Sequence, residues 1–144
     1  MAKVDMSSLN VLVIDDEPFI SRLIMRMLRD LGVRDLVTAK NGAEGISKVQ
    51  ESMKKIDLII CDLEMPKMNG FEFVKHLRTS PDIADRHVPV LILTGHSQGK
   101  NVHEMVGLGI HGFLSKPVSK VILEKRITTA MTSPPIDLKA LEDQ

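Results

Sequence analysis

The stretch DLIICDLEMPKMNG, Asp57 to Gly70, contains an apolar run, Leu58 to Cys61, that ends on a carboxylate, Asp62. Pro66 and the Asn69-Gly70 pair follow, and both forbid the strand from continuing. A run that is apolar throughout, rather than alternating, suits a strand covered on both faces, as in a parallel sheet. An acid at the end of such a strand either shapes the turn or does chemistry. Asp is a preferred turn residue, so the stretch alone leaves both readings open.

Outward from this run the same pattern repeats. VLVI (Val11 to Ile14), LVTA (Leu36 to Ala39) and VLIL (Val90 to Leu93) are further apolar runs, and GFLS (Gly112 to Ser115) is a weaker one. Helical spacing fills the gaps. Over Pro18 to Leu31, the residues Ile20, Leu23, Ile24, Met27, Leu28 and Leu31 share one side, with Pro18 suited to a first turn and Gly32 to a C-terminus. Further helices are expected over Ala43 to Met53, Phe71 to Arg78, about Lys100 to Val106, and Val118 to Met131, the last stopped by Ser133-Pro134-Pro135. Strand and helix thus alternate five times. Right-handed crossovers make this a doubly wound α/β sandwich, in which ligands sit at the carboxyl ends of the strands.

The bulk properties narrow the function. A chain of 144 residues, 43% hydrophobic and 26% charged, suits one domain with a real core. The formal net charge is +0 and aromatics make up 3%, which argues against nucleic acid and anionic membrane as partners. Cys61 is the only cysteine, so no internal disulfide forms. MAKVDMSSLN lacks an apolar leader and no run approaches the ~18 residues of a membrane span, so the expected location is cytoplasmic.

The residues after each strand form a set. Asp15, Asp16 and Glu17 follow the first, Asp62 the third, Thr94 the fourth and Lys116 the fifth. In a parallel sheet these points share one edge. Two carboxylates ~4 Å apart repel by roughly 4 kcal/mol at an effective dielectric near 20, and a third worsens it. Such a group either holds protons above its ordinary pKa or gathers a cation, and one lysine cannot neutralise it. Oxygen-only donors suit a hard cation, Mg²⁺ or Mn²⁺. Asp62, alone at its strand end, is free to attack a phosphoryl group. Asp15 and Asp16 are placed as metal ligands, and Thr94 and Lys116 as partners of the phosphoryl oxygens.

VLVIDDEP, DLIICDLEMPKMNGFEFVKHLR, VPVLILTG and GFLSKP, in this order, resemble the receiver domain of two-component response regulators over about Asn10 to Met131. The resemblance implies a flavodoxin-like (βα)5 sandwich with strand order 2-1-3-4-5. It sets a receiver domain at 10–131 between an N-terminal extension, 1–9, and a C-terminal tail, 132–144, that is either disordered or a helical turn. It implies that Asp62 accepts a phosphoryl group from a sensor histidine kinase or a histidine phosphotransferase. Asp15, Asp16, Asp62 and the backbone carbonyl of Glu64 would hold the metal. Thr94 and Phe113 would act as the switch pair, and the Lys116-Pro117 bond would be cis. Phe113 stands where a tyrosine is common, so a contact made by a tyrosine hydroxyl is missing. Glu64 and His96 occupy positions that tune dephosphorylation in the family.

The expected role is a stand-alone regulator of the chemotaxis-regulator type, signalling to a downstream target protein through the face made by the fourth helix, fifth strand and fifth helix. It would be a monomer or a phosphorylation-dependent dimer. The alternative is a relay intermediate or phosphate sink feeding a histidine phosphotransferase. An enzyme, a Mg²⁺-dependent aspartyl-phosphate phosphohydrolase, fits less well, because that class's acid pattern and substrate cap are missing. A flavin binder lacks the aromatics. Among the other residues, Glu17 reads as helix N-terminal charge and Cys61 as small core. Met25, Met27, Met53, Met105 and Met131 read as packing. The histidines at 76, 87, 96, 103 and 111 read as solvated.

Overall fold

The computed structural model describes residues 4–95, 100–137 and 139, with the backbone alone at 100 and 101. Five parallel strands, β1 (Asn10–Ile14), β2 (Asp35–Ala39), β3 (Leu58–Asp62), β4 (Val90–Thr94) and β5 (Gly112–Ser115), lie in the order β2-β1-β3-β4-β5. The helices are α1 (Pro18–Asp30), α2 (Gly42–Glu51), α3 (Gly70–Thr79), α4 (Lys100–Gly107) and α5 (Lys120–Thr132). This is the doubly wound, flavodoxin-like arrangement that the sequence implies.

The unbroken apolar runs have a direct cause. Alternate side chains of a strand point to opposite faces. Val11 and Val13, Leu58 and Ile60, and Leu91 and Leu93 enter one core with Ile24 and Leu28 of α1 and Leu123 and Ile127 of α5. Leu12 and Ile14, Ile59 and Cys61, and Val90 and Ile92 enter the other with Ile46 of α2, Phe73, Val74 and Leu77 of α3, and Met105 of α4. Each fully buried Leu, Ile or Val contributes about 1.5–3 kcal/mol, so a polar residue at any of these positions would be costly. Close approach also matters. A Cβ on Gly45 would lie 2.5 Å from Ile14 Cδ1 and 3.0 Å from Phe73 Cε1, so α2 reaches the sheet only because that residue is glycine.

Capping fixes the helix ends. Asn41 accepts from Glu44 N at 2.9 Å, Asn69 and Glu72 form a reciprocal capping box, and Gly32 at φ 108° ends α1. Ser119 accepts from Ile122 N at 3.2 Å, which starts α5 at Lys120 rather than at the expected Val118.

Two local expectations are corrected, and one short turn is added. Met53 lies beyond the end of α2 and is fully exposed, so it does not pack. A 3-10 turn at Met6–Ser8, capped by Asp5, precedes β1, and its Met6 is buried. His111 is not solvated: it is half-buried, and its Nδ1 faces Val90 N at 3.4 Å. Burial and the Arg78 guanidinium push its pKa down to about 4. His76, His87 and His103 are exposed as expected, and His96 lies outside the described residues.

The chain after α5 returns under the sheet. Ile136 N donates to Ile110 O at 2.9 Å, and its side chain packs against the α2–α3–α4 core. Arg78, at the end of α3, secures the same lower region. Its Nη1 donates to Arg86 O at 2.6 Å, its Nη2 to Gly109 O at 2.8 Å and its Nε to Leu108 O at 3.3 Å.

Candidate functional site

The ladder of the sheet continues one residue past several strands and sets the height of the site. Asp15 N donates to Ala39 O at 3.1 Å, Leu63 N to Leu93 O at 2.9 Å, and Lys116 N to Thr94 O at 3.0 Å. Asp62 and Thr94 are the last residues of β3 and β4, one position further than the apolar runs reach. Gly70 presses the start of α3 against this edge. A Cβ there would lie 2.6 Å from Asp62 O, and Gly70 N donates to Leu63 O at 2.9 Å.

One carboxylate oxygen from each of Asp15, Asp16, Glu17 and Asp62 lies within 4.8 Å of the others. Asp15 and Asp62 are each 3% exposed, whereas Asp16 and Glu17 face solvent. Lys116 Nζ stands 3.2 Å from Asp62 Oδ2 and 3.4 Å from Glu17 Oε1. Glu17 N donates to Asp15 Oδ1 at 2.8 Å, and Glu64 N lies 3.4 Å from Asp62 Oδ1.

The charges in this cluster are poorly compensated. Burial raises the Asp15 pKa from 3.8 to about 6; the hydrogen bond from Glu17 N opposes the rise and repulsion from Asp62 adds to it. Asp62 is raised too, by burial, against the pull of Lys116. Burial works to lower the Lys116 pKa, but its pairing with Asp62 wins and raises it. Among the described residues, Asp15 Oδ2 is the buried side-chain oxygen with no hydrogen-bond partner. A buried oxygen in that state costs ~1–3 kcal/mol unless something binds it. An oxygen-only donor set with an orphaned acceptor fits a hard divalent cation such as Mg²⁺.

Each strand-end residue singled out from the sequence lies at this one edge. Thr94 is 4% exposed and in register with Ser115. Glu64 is exposed just beyond Asp62. Phe113 is half-buried, aligned with Ile92 and packed against the α2–α3–α4 core. The Lys116-Pro117 bond is cis, as the resemblance implies. Glu17 occupies the N-cap position of α1, where its charge stands at the helix N-terminus as expected; its side chain makes no cap bond and reaches Lys116 as well.

A family model described as the response regulator receiver domain matches residues 11–128. The chain belongs to this family. Chemotaxis protein CheY-3 of Vibrio cholerae is 25% identical to it over 120 residues, covering 83% of this chain and 89% of that protein. The osmosensing histidine protein kinase SLN1 of Saccharomyces cerevisiae is 30% identical over 125 residues, 85% of this chain and 10% of that one. Among solved structures, the chemotaxis response regulator CheY4 of Vibrio cholerae superposes with a TM-score of 0.75 at 33% identity, covering 85% of this chain and 98% of that one. The receiver domain of a Pseudomonas aeruginosa sensor histidine kinase shares the fold, with a TM-score of 0.75 at 22% identity and coverage of 87% and 98%. That structure holds a magnesium ion in its active site cleft.

This receiver domain therefore carries the acidic pocket typical of phosphoaccepting, Mg²⁺-binding response regulators, on a signalling protein rather than a catalytic enzyme. Receiver domains partner histidine kinases. Among the described residues, no helix is long and apolar enough to cross a membrane.

Proposed function

We propose that this receiver is activated by phosphorylation on Asp62, with the phosphohistidine of a sensor histidine kinase as donor and a divalent cation required. The observation that carries the reading is the buried Asp62 carboxylate, 3.2 Å from the Lys116 ammonium inside a four-acid cluster with an orphaned Asp15 oxygen. Asp15, Asp16, Asp62 and the backbone carbonyl of Glu64 would hold the cation. Bound there, Mg²⁺ supplies charge that offsets the acids and the phosphoryl oxygens.

The transfer is balanced without further reagents. An oxygen of Asp62 bonds to phosphorus as the bond from phosphorus to the donor imidazole nitrogen breaks. The electron pair leaves on that nitrogen. Lys116 and Thr94 take the charge on the transferred oxygens, because phosphoryl transfer depends on positioning and electrostatics. The product replaces a carboxylate of charge −1 with a group that carries about −1.5 to −2 charges in total and three strong acceptors. Thr94 moves to donate to it, Phe113 turns into the space released, and the α4–β5–α5 face changes its contacts with a downstream target.

Incubation with a small acyl phosphate donor and Mg²⁺, followed by intact mass, tests the reading. One phosphoryl adduct is expected, abolished by chelator and by Asp62→Asn, with negligible multiple turnover. An adduct on another residue, or sustained hydrolysis of many phosphomonoesters, would refute it.

A further inference from the structure

Glu17 belongs to the acid cluster, yet the reaction above gives it no task. Its residue is the N-cap of α1, at φ −95° and ψ 107°, and the side chain makes no bond to the helix. A carboxylate not used for capping is free to reach elsewhere, and this one reaches Lys116 Nζ at 3.4 Å. The same ammonium lies 3.2 Å from Asp62 Oδ2, so two carboxylates share one lysine. The backbone N–H of Glu17 meanwhile holds Asp15 Oδ1 at 2.8 Å and leaves Asp15 Oδ2 buried and unpartnered beside the cluster. That orphaned oxygen marks the cluster as a place for a cation rather than a chance gathering of acids.

We infer that Glu17 is a positioning residue for the phosphoryl transfer, a counter-charge that strengthens cation binding and opposes the phosphorylated state by competing for Lys116. The inference rests on Asp62 being the acceptor. Before transfer, Glu17 adds a fourth negative charge within 4.8 Å of the other donors, which favours a divalent cation. After transfer, Lys116 is needed by the phosphoryl oxygens and leaves Glu17, whose charge then faces a more anionic Asp62. The Glu17 side chain is 58% exposed, so the solvent screens it strongly. A unit charge about 5 Å away in a water-like dielectric changes the equilibrium of a singly charged group about fourfold and that of a divalent cation about sixteenfold. The effect is modest, but its sign differs between cation binding and phosphoryl transfer, and that difference is diagnostic.

Mg²⁺ affinity, measured by calorimetry on the unphosphorylated chain, and the rate of adduct formation at saturating Mg²⁺ are the two readouts. In Glu17→Gln the Mg²⁺ dissociation constant should rise about sixteenfold, because the cation carries two charges, and the phosphorylation rate should rise about fourfold. Glu17→Lys should move both further in the same directions, towards the square of each factor, because the charge change doubles. A purely structural role would shift the melting temperature without this dependence on charge. Both quantities unchanged in both variants, or weaker Mg²⁺ binding together with slower phosphorylation, would overturn the inference while wild type still forms its Asp62 adduct. Absence of that adduct in wild type would instead remove the functional reading, and this inference with it.

Discussion

Replacing Asp15 by Asn should stabilise the metal-free receiver at neutral pH while removing its response to Mg²⁺. Asp15 is 3% exposed, and its carboxyl is raised from 3.8 to about 6, chiefly by burial. A carboxyl raised on folding binds its proton more tightly in the native state than in the unfolded one. Stability therefore falls as pH rises from 3.8 towards 6, and above that the whole cost is present. At 1.36 kcal/mol per pH unit the interval from 3.8 to about 6 is worth about 3 kcal/mol. Asn keeps an acceptor for Glu17 N, the 2.8 Å bond to Oδ1, but without the charge. The net gain should be about 1–3 kcal/mol at pH 8, or roughly 3–10 °C in melting temperature for a chain of this size. Urea unfolding in chelator between pH 4 and pH 8 measures it, and the gain should vanish towards pH 4. Saturating Mg²⁺ at 100 times its dissociation constant should stabilise wild type by about 2.7 kcal/mol and the variant far less. An Asn variant less stable than wild type at pH 8, or a gain independent of pH, would refute the account of this cluster as uncompensated charge.

Three further outcomes follow from other sites. Arg78→Leu strips the donors from the carbonyls of Arg86, Leu108 and Gly109, and should cost about 2–4 kcal/mol in urea unfolding; Arg78→Lys should recover only part of this. The neutral His111, held down to about 4 by burial and then by Arg78, contributes stability that is complete above pH 6.5 and is lost as pH falls towards 4. His111→Gln should remove about 1–3 kcal/mol of that loss, visible as a flatter profile of unfolding free energy over this interval. Gly70→Ala places a Cβ 2.6 Å from Asp62 O, so the start of α3 must shift. Phosphorylation should slow by tenfold or more with little change in helix content by circular dichroism.

The sequence was most informative where one physical cause acts locally. Leu58–Cys61 and Val90–Leu93 were legible as strands covered on both faces because unbroken apolar runs this short, rich in Ile and Val and ended by turn residues, suit a strand better than a buried helix. Asp62, Thr94 and Lys116 were legible because parallel strands bring their ends to one edge whatever the details of packing. Glu17 reads as helix N-terminal charge, which its place before Pro18 bears out, but its pairing with Lys116 was not legible, because only the fold brings that residue to it from 99 positions away. His111 was misread for a similar reason: its burial depends on β4, on Arg78 and on the α4–β5 connection, which lie far apart in the chain. Met53 failed because Ser52 adopts an extended backbone and ends the helical pattern before it.

The return of the chain beneath the sheet has a practical consequence. Ile110 precedes β5, so the bond from Ile136 pins the C-terminal segment at the pole opposite the carboxylates. A fluorophore or affinity handle joined beyond it would hang from that pole, next to the foot of α4 and clear of any donor approaching Asp62. The same attachment would pull directly on the Ile136 anchorage, so a tether under load would loosen the domain from its base while the acid cluster stayed assembled.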